Sequence, residues 1–467
     1  MLSNSSAPSV ASRVDGRPLA SGGQRIVIVG AGFAGLEVAK ALQGTPGVVT
    51  LVDRHNYTLF QPLLYQVATA ALSPADIAAP IRSVLRGGNI EMLLDEIVSL
   101  DVEHAELRTR SGRRLAYDVL VLATGSVFNY FGHTDWARLA PAPKCLTDAL
   151  EIRRRLLLAF ERAEMCENED ERRAWMTFVI IGGGATGVEM TGAAAELAKA
   201  SLRRDFRRIQ PACARIILVE AGAHVLEAYP AKLRDYAEKA LARLGVQILL
   251  NTKVEQIDDC GIVASGRRIN ARTVVWGAGV KANQVSEWLP SKAGRHGAVK
   301  VERDFSVPGL PNVFVVGDAA DAADADGKPL PGLAAVAKQE GRYLGDLLKR
   351  RLGGDRSTPD FRYRDYGTMA TIGRSAAVAD LRGLHITGTT AWILWGLVHL
   401  YFLIGFRNRL IVMINWLWAW LAYARGARLI TDPPAPYAAA ERTSPPQQVK
   451  SEQSRGPEAD LTSITHA

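Results

Sequence analysis

An apolar run that ends in a glycine-rich turn and passes straight into a helical pattern leaves a chain few folds, and this chain carries the arrangement twice. Arg25 to Val29 reads as a buried parallel strand and leads into Gly30-Ala31-Gly32-Phe33-Ala34-Gly35, then the helical pattern Leu36 to Leu42. A second apolar strand, Val48 to Val52, ends at Asp53 and completes a βαβ unit. Further along, strand Thr177 to Ile181 leads into Gly182-Gly183-Gly184-Ala185-Thr186-Gly187, an Ala-rich helix over Val188 to Ala200, and strand Ile216 to Val219 ending in Glu220. Each unit predicts a doubly wound α/β domain of its own. Shorter runs, Val119 to Leu122, Thr273 to Trp276 and Val313 to Val316, end in Ala123-Thr124-Gly125, Gly277-Ala278-Gly279 and Gly317-Asp318 and read as return strands serving a shared cleft. The Arg-rich helical stretch Asp148 to Arg173 reads as the bridge between the two domains.

A dinucleotide's pyrophosphate needs backbone N–H groups at close range and a helix N-terminus aimed at it. Side chains at Gly30, Gly32 or Gly35 would obstruct that approach or the helix packing, and a carboxylate at the strand end, Asp53, can accept from a ribose diol. Gly182, Gly184, Gly187 and Glu220 repeat the pattern. Glu220 would repel a 2′-phosphate and so favours NADH over NADPH, unless it is only a solvated strand end. A flavin dinucleotide on the first turn is the natural partner of a nicotinamide on the second.

Composition narrows the class. At 467 residues the chain supports two or three cores, and 48% apolar with 22% charged residues is ordinary for a folded protein. The net charge of +8 suits polyanions, nucleic acid or anionic lipid, without choosing between them. Cys145, Cys166, Cys213 and Cys260 form no Cys-x-x-Cys pair, so neither a metal site nor a dithiol centre is expected. Residues 1–24 lack the pattern of a secretory signal and read as a disordered arm; the Pro-rich stretch 431–467 reads as a disordered tail.

Ile386 to Phe406 holds no Asp, Glu, Lys or Arg, and Leu410 to Ala424 follows with Trp416, Trp418 and Trp420, bracketed by Arg407, Arg409, Arg425 and Arg428. Clustered Trp flanked by Arg suits the headgroup level of a bilayer. The segment predicts two helices lying in the membrane surface, with a single span or an ordinary core or dimer contact as the other readings.

The glycine turns, together with Phe60-Gln61-Pro62-Leu63-Leu64-Tyr65-Gln66, Trp276-Gly277-Ala278-Gly279, Val316-Gly317-Asp318 and Met369-Ala370-Thr371-Ile372-Gly373-Arg374, resemble type II NADH dehydrogenase, the single-subunit, non-proton-pumping NADH:quinone oxidoreductase of respiratory chains. The likeness runs from about residue 25 to about 430. It implies two Rossmann-like domains of the two-dinucleotide-binding flavoprotein type plus an apolar C-terminal membrane-associating region. The expected bounds are 25–150 with 297–350 for FAD, 151–296 for NADH and 351–430 for the membrane region. It further implies noncovalent FAD on the first turn, with Thr124, Gly125, Gly317 and Asp318 beside it, and NADH on the second turn with Gly279.

By the same resemblance Glu189 serves proton transfer or the placing of NADH and quinone; otherwise it is an acid favoured by a helix N-terminus. Gln339 would meet the quinone, although Ala335 stands where many members have a Gln, Tyr366 stands where a Lys is expected, and a plain surface Gln is an equal reading. The resemblance places the protein on the cytoplasmic face of the inner (plasma) membrane, peripheral or monotopic, acting on NADH and quinone, without nucleic acid, as a homodimer through the C-terminal region. A sulfide:quinone oxidoreductase would need paired cysteines, one late in the chain, and none follows Cys260. A membrane-bound FAD/NADH sensor without turnover is the reading from another class.

Overall fold

The computed structural model describes residues 23–290, 293–324, 326–422 and 426–431. The expected arm, apart from residues 23 and 24, the expected tail beyond 431, and Arg425 lie outside them.

The first unit runs β1 (Arg25–Val29), α1 (Phe33–Ala41), β2 (Val48–Asp53), the short α2 (Leu64–Ala68), β3 (Ile90–Leu94) and β4 (Val119–Leu122). The chain then leaves through α3 (Leu146–Met165) into β5 (Thr177–Ile181), α4 (Ala185–Glu196), β6 (Arg215–Val219), β7 (Gln247–Leu249) and β8 (Thr273–Trp276). It returns as β9 (Ser306–Val307), β10 (Leu310–Val315) and α5 (Ala334–Leu352). The C-terminal part is β11 (Thr368–Thr371), β12 (Ala377–Leu381), β13 (Leu384–Thr387), α6 (Gly388–Phe402) and α7 (Phe406–Ala422).

Two sheets organise these elements. The first has the order β9-β10-β4-β1-β2-β3, parallel except for β9 against β10, so its strands come from both ends of the second unit. The second has the order β7-β6-β5-β8, all parallel. Both central strands are buried on two faces: Ile26, Ile28, Val179 and Ile180 are each at most 1% exposed. Each such side chain contributes about 1.5–3 kcal/mol of burial, which explains the unbroken apolar runs in the sequence.

Local departures from the sequence reading have local causes. The first helix begins at Phe33 instead of Leu36, because Gly32 is its N-cap and the glycine turn supplies its first residues. The Ala-rich helix begins at Ala185 and turns to π winding over Leu197–Ser201. The Arg-rich bridge is two helices, α3 and Glu169–Trp175, broken where Asn168 caps the second by accepting from the Glu171 N–H at 2.9 Å.

The apolar C-terminus is two helices, as expected, of 15 and 17 residues. At 1.5 Å per residue they span about 22 and 26 Å, short of a 30 Å hydrocarbon core. No helix among the described residues is long and apolar enough to cross a membrane, which sets the single-span reading aside.

Candidate functional site

The two glycine turns are built alike because the backbone demands it. Gly30 has φ +100 and Gly182 φ +106, and a Cβ at Gly35 or Gly187 would collide with the carbonyl of Gly30 or Gly182. Those positions serve the turn and the close seating of helix on strand. Gly32 and Gly184 differ: a Cβ there would meet nothing within 4 Å, so they face open space at the head of a helix, where a phosphate group needs room.

Each strand-end acid closes its own turn. Asp53 accepts from the Ala31 N–H at 2.7 Å and the His55 N–H at 2.7 Å; Glu220 accepts from Gly183 at 2.5 Å and Gly222 at 2.6 Å. Glu220 is therefore fixed by two backbone donors and is no loose strand end. Each carboxylate retains lone pairs for a ribose diol.

A cavity of about 340 Å³ opens over the first turn. Its wall gathers Gly30, Gly32, Asp53, Thr124, Gly125, Gly317 and Asp318, expected from the sequence, with residues the sequence reading missed, Ser126, Lys144, His55 and Gln61. Lys144 Nζ donates to Ser126 Oγ at 3.0 Å, and Ser126 Oγ donates to Asp318 at 2.6 Å. Burial pulls the Lys144 ammonium below its ordinary range, partly offset by the Asp318 charge. Thr124 Oγ1 is buried and has no hydrogen-bond partner, a donor and acceptor left over for a ligand. An open glycine, a helix N-terminus, a strand-end acid and an orphaned hydroxyl fit the dinucleotide FAD.

Glu340 was also missed. It is 2% exposed and accepts from the Gly317 N–H at 2.5 Å, bracing the turn that carries Asp318. Burial pushes its carboxyl up to about 8 against that hydrogen bond. Its neighbour Gln339 faces elsewhere: the amide donates to Arg364 O at 3.0 Å and accepts from the Arg364 N–H at 2.9 Å. Tyr366 is half exposed, with the Arg364 guanidinium over its ring at 5.5 Å.

Glu189 is the fifth residue of α4, just past its first turn, and reaches β11, where it accepts from the Thr371 N–H at 3.3 Å. It keeps some accessible surface, yet protein surrounds it closely enough that desolvation pushes its carboxyl up to about 8. An acid held neutral near neutral pH can give a proton there. It does not line the cavity over the first turn; it stands on α4, the helix that follows the second turn. Gly279, with φ +67, lies after β8 against Phe131.

On the far side, α6 and α7 turn one face inward. Trp395 stacks on His399 at 4.1 Å, His399 meets Phe60 edge-on at 6.0 Å, and Trp416 Nε1 donates to Gln66 Oε1 at 2.7 Å. The outward face exposes Leu397, Tyr401, Phe406, Leu417, Trp418 and Leu421, each more than half accessible. The tryptophans thus divide, Trp395 and Trp416 inward and Trp418 and Trp420 outward, where the sequence had suggested one interfacial cluster.

Comparison with known proteins agrees with this geometry. The family described as pyridine nucleotide-disulphide oxidoreductase matches residues 24–341, and the NDH2 C-terminal domain matches residues 366–423. The chain is 39% identical over 424 residues to "Type II NADH:quinone oxidoreductase Ndh" of Mycobacterium tuberculosis, covering 87% of this chain and 90% of that protein. It is 38% identical over 434 residues to the same organism's "Type II NADH:quinone oxidoreductase NdhA", covering 89% and 91%. Its fold matches that of NDH2 from Plasmodium falciparum in complex with NADH, with a TM-score of 0.80 at 21% identity over 86% of this chain and 99% of that one. The fold, the paired glycine turns and the two domain matches place the chain in the type II NADH:quinone oxidoreductase family.

Proposed function

We propose that the first glycine turn with Asp53, Thr124 and Asp318 holds FAD noncovalently, and that Gly182, Gly184, Gly187, Glu220 and Gly279 hold NADH. The activity is oxidation of NADH and two-electron reduction of a quinone, without proton pumping. FAD supplies the hydride acceptor and the electron donor between the two substrates. What the chain supplies is the placing of both and a proton. Reducing a quinone to its quinol takes up one proton beyond the hydride of NADH, and the neutral Glu189 carboxyl is poised to give it. Gln339 keeps one amide N–H free of its Arg364 bonds to meet a quinone carbonyl.

The observation that supports this reading is the pairing of two dinucleotide turns with Glu189, which stands on the helix after the second turn and is held by the Thr371 N–H, in a chain that continues into apolar C-terminal helices. Those helices dock on the membrane surface by their exposed apolar face, and the net charge of +8 favours anionic lipid. The FAD domain is 25–150 with 297–350, the NADH domain 151–296 and the membrane region 351–430. A homodimer is part of the proposal, as is a position on the cytoplasmic face. Steady-state NADH oxidation with a short-chain quinone tests the reading: sustained turnover supports it, and NADH binding without turnover would favour the sensor.

A further inference from the structure

Two sequence stretches that the cofactor cavity leaves mostly unused, Phe60 to Gln66 and Met369 to Arg374, meet in the interior. Tyr65 and Thr371, 8% and 1% exposed, bring Oη and Oγ1 within 2.8 Å. The Thr371 N–H holds Glu189. On the other side, Gln66 Nε2 donates to Tyr65 Oη at 3.0 Å, and Gln66 Oε1 accepts from Trp416 Nε1 at 2.7 Å.

The direction of this chain is set by one group. An indole N–H only donates, so Trp416 fixes the Gln66 carbonyl toward α7 and its amide toward Tyr65. Tyr65 Oη, accepting from Gln66, turns its own hydrogen to Thr371. Thr371 Oγ1, accepting from Tyr65, has its own hydrogen left to give, and the same residue's backbone N–H holds Glu189 at 3.3 Å.

The chain begins beside a second cavity. Tyr65, Gln66, Thr69, Glu196, Arg374 and Trp420 are among the residues around this cavity of about 90 Å³, separate from the one over the glycine turn. One water needs about 10–15 Å³ of such space, so several fit among these polar groups. Glu196 lies seven residues beyond Glu189 on α4, about 10 Å along the axis. Burial, joined by the charges of Glu189 and Glu196, raises the pKa of the Tyr65 phenol.

We propose that Tyr65 and Thr371 form a proton relay that refills Glu189 from the cavity beside Glu196, with Gln66 and Trp416 as positioning residues. The inference rests on the reading of Glu189 as proton donor. After Glu189 gives its proton to the reduced quinone, Thr371 Oγ1 passes a proton to the carboxylate. Tyr65 Oη replaces that proton and is itself refilled from a cavity water, leaving one proton drawn from solvent.

The test uses the FAD-loaded enzyme in two readouts. The carbonyl stretch of protonated Glu189, assigned by its loss in Glu189→Gln, is followed by infrared spectroscopy on transfer to D2O without any substrate. Tyr65→Phe and Thr371→Val should slow its exchange at least about tenfold. In stopped flow both variants should keep the rate of flavin reduction by NADH and slow reoxidation by a soluble quinone, with Trp416→Phe intermediate. A merely structural role would disturb both half-reactions or neither. Wild-type exchange in both variants would overturn the relay and leave Glu189 as donor. Absence of any protonated Glu189 band, with normal reoxidation in Glu189→Gln, would overturn the donor reading itself. Should Tyr65→Phe lose its flavin, Thr371→Val carries the same comparison.

Discussion

Asp53 and Glu220 show how far a residue could be read from its place in the chain. Each was legible because a carboxylate at a parallel strand end, after a glycine turn, has one geometry available. Ser126 was not, since its partner Asp318 lies 192 residues away, and Glu340 and Lys144 were not, since neither stands at a strand end after a glycine turn. Glu220→Ala should lower the ratio of kcat/KM for NADH over NADPH by about tenfold, about 1.4 kcal/mol of discrimination; an unchanged ratio would return Glu220 to a structural part. Thr124→Val should weaken FAD binding, measured by flavin release on dilution, while leaving apo-protein stability near wild type, because Thr124 Oγ1 has no protein partner to lose. Glu189 has a folded pKa raised to about 8 by burial, above its unfolded value near 4.3. Between those values the unfolded chain binds fewer protons, so this group's effect is to lower stability as pH rises from about 4 to 8. Glu189→Gln should therefore raise Tm more at pH 8 than at pH 5, by a few degrees, in thermal melts at both.

At the scale of elements, β1 and β5 were legible because strands buried on both faces read as unbroken apolar runs. The C-terminal helices were legible as a pair, but not in which tryptophan faces which way. That depends on partners in and after α2: Gln66 in α2 draws Trp416 inward, and further along Asp76 and the Ala78 carbonyl take Asn415 and Asn408, both at 3.4 Å. With α7 bolted on that face, Leu417 and Trp418 are left outside. Leu417→Glu with Trp418→Glu should release the protein from anionic vesicles in a sedimentation assay while the flavin absorbance stays. Vesicle binding that survives both charges would place the docking surface elsewhere.

For the whole molecule, the two-domain α/β architecture followed from two glycine turns and their strand spacing, whereas the order of the six-stranded sheet did not. Strands β9 and β10 reach it only after the second domain has intervened, and no local pattern announces that return. The return brings Gly317, Asp318 and α5 against the first glycine turn, so the cavity over that turn is completed by the part of the chain that leads on to the C-terminal helices. One protein is expected to carry both half-reactions, NADH to flavin and flavin to quinone. Anaerobic absorbance of the flavin band, with NADH added first and a soluble quinone second, measures both. NADH should bleach the band and quinone should restore it in full. A yellow protein that NADH leaves unbleached, or a bleached one that quinone does not restore, would contradict that expectation.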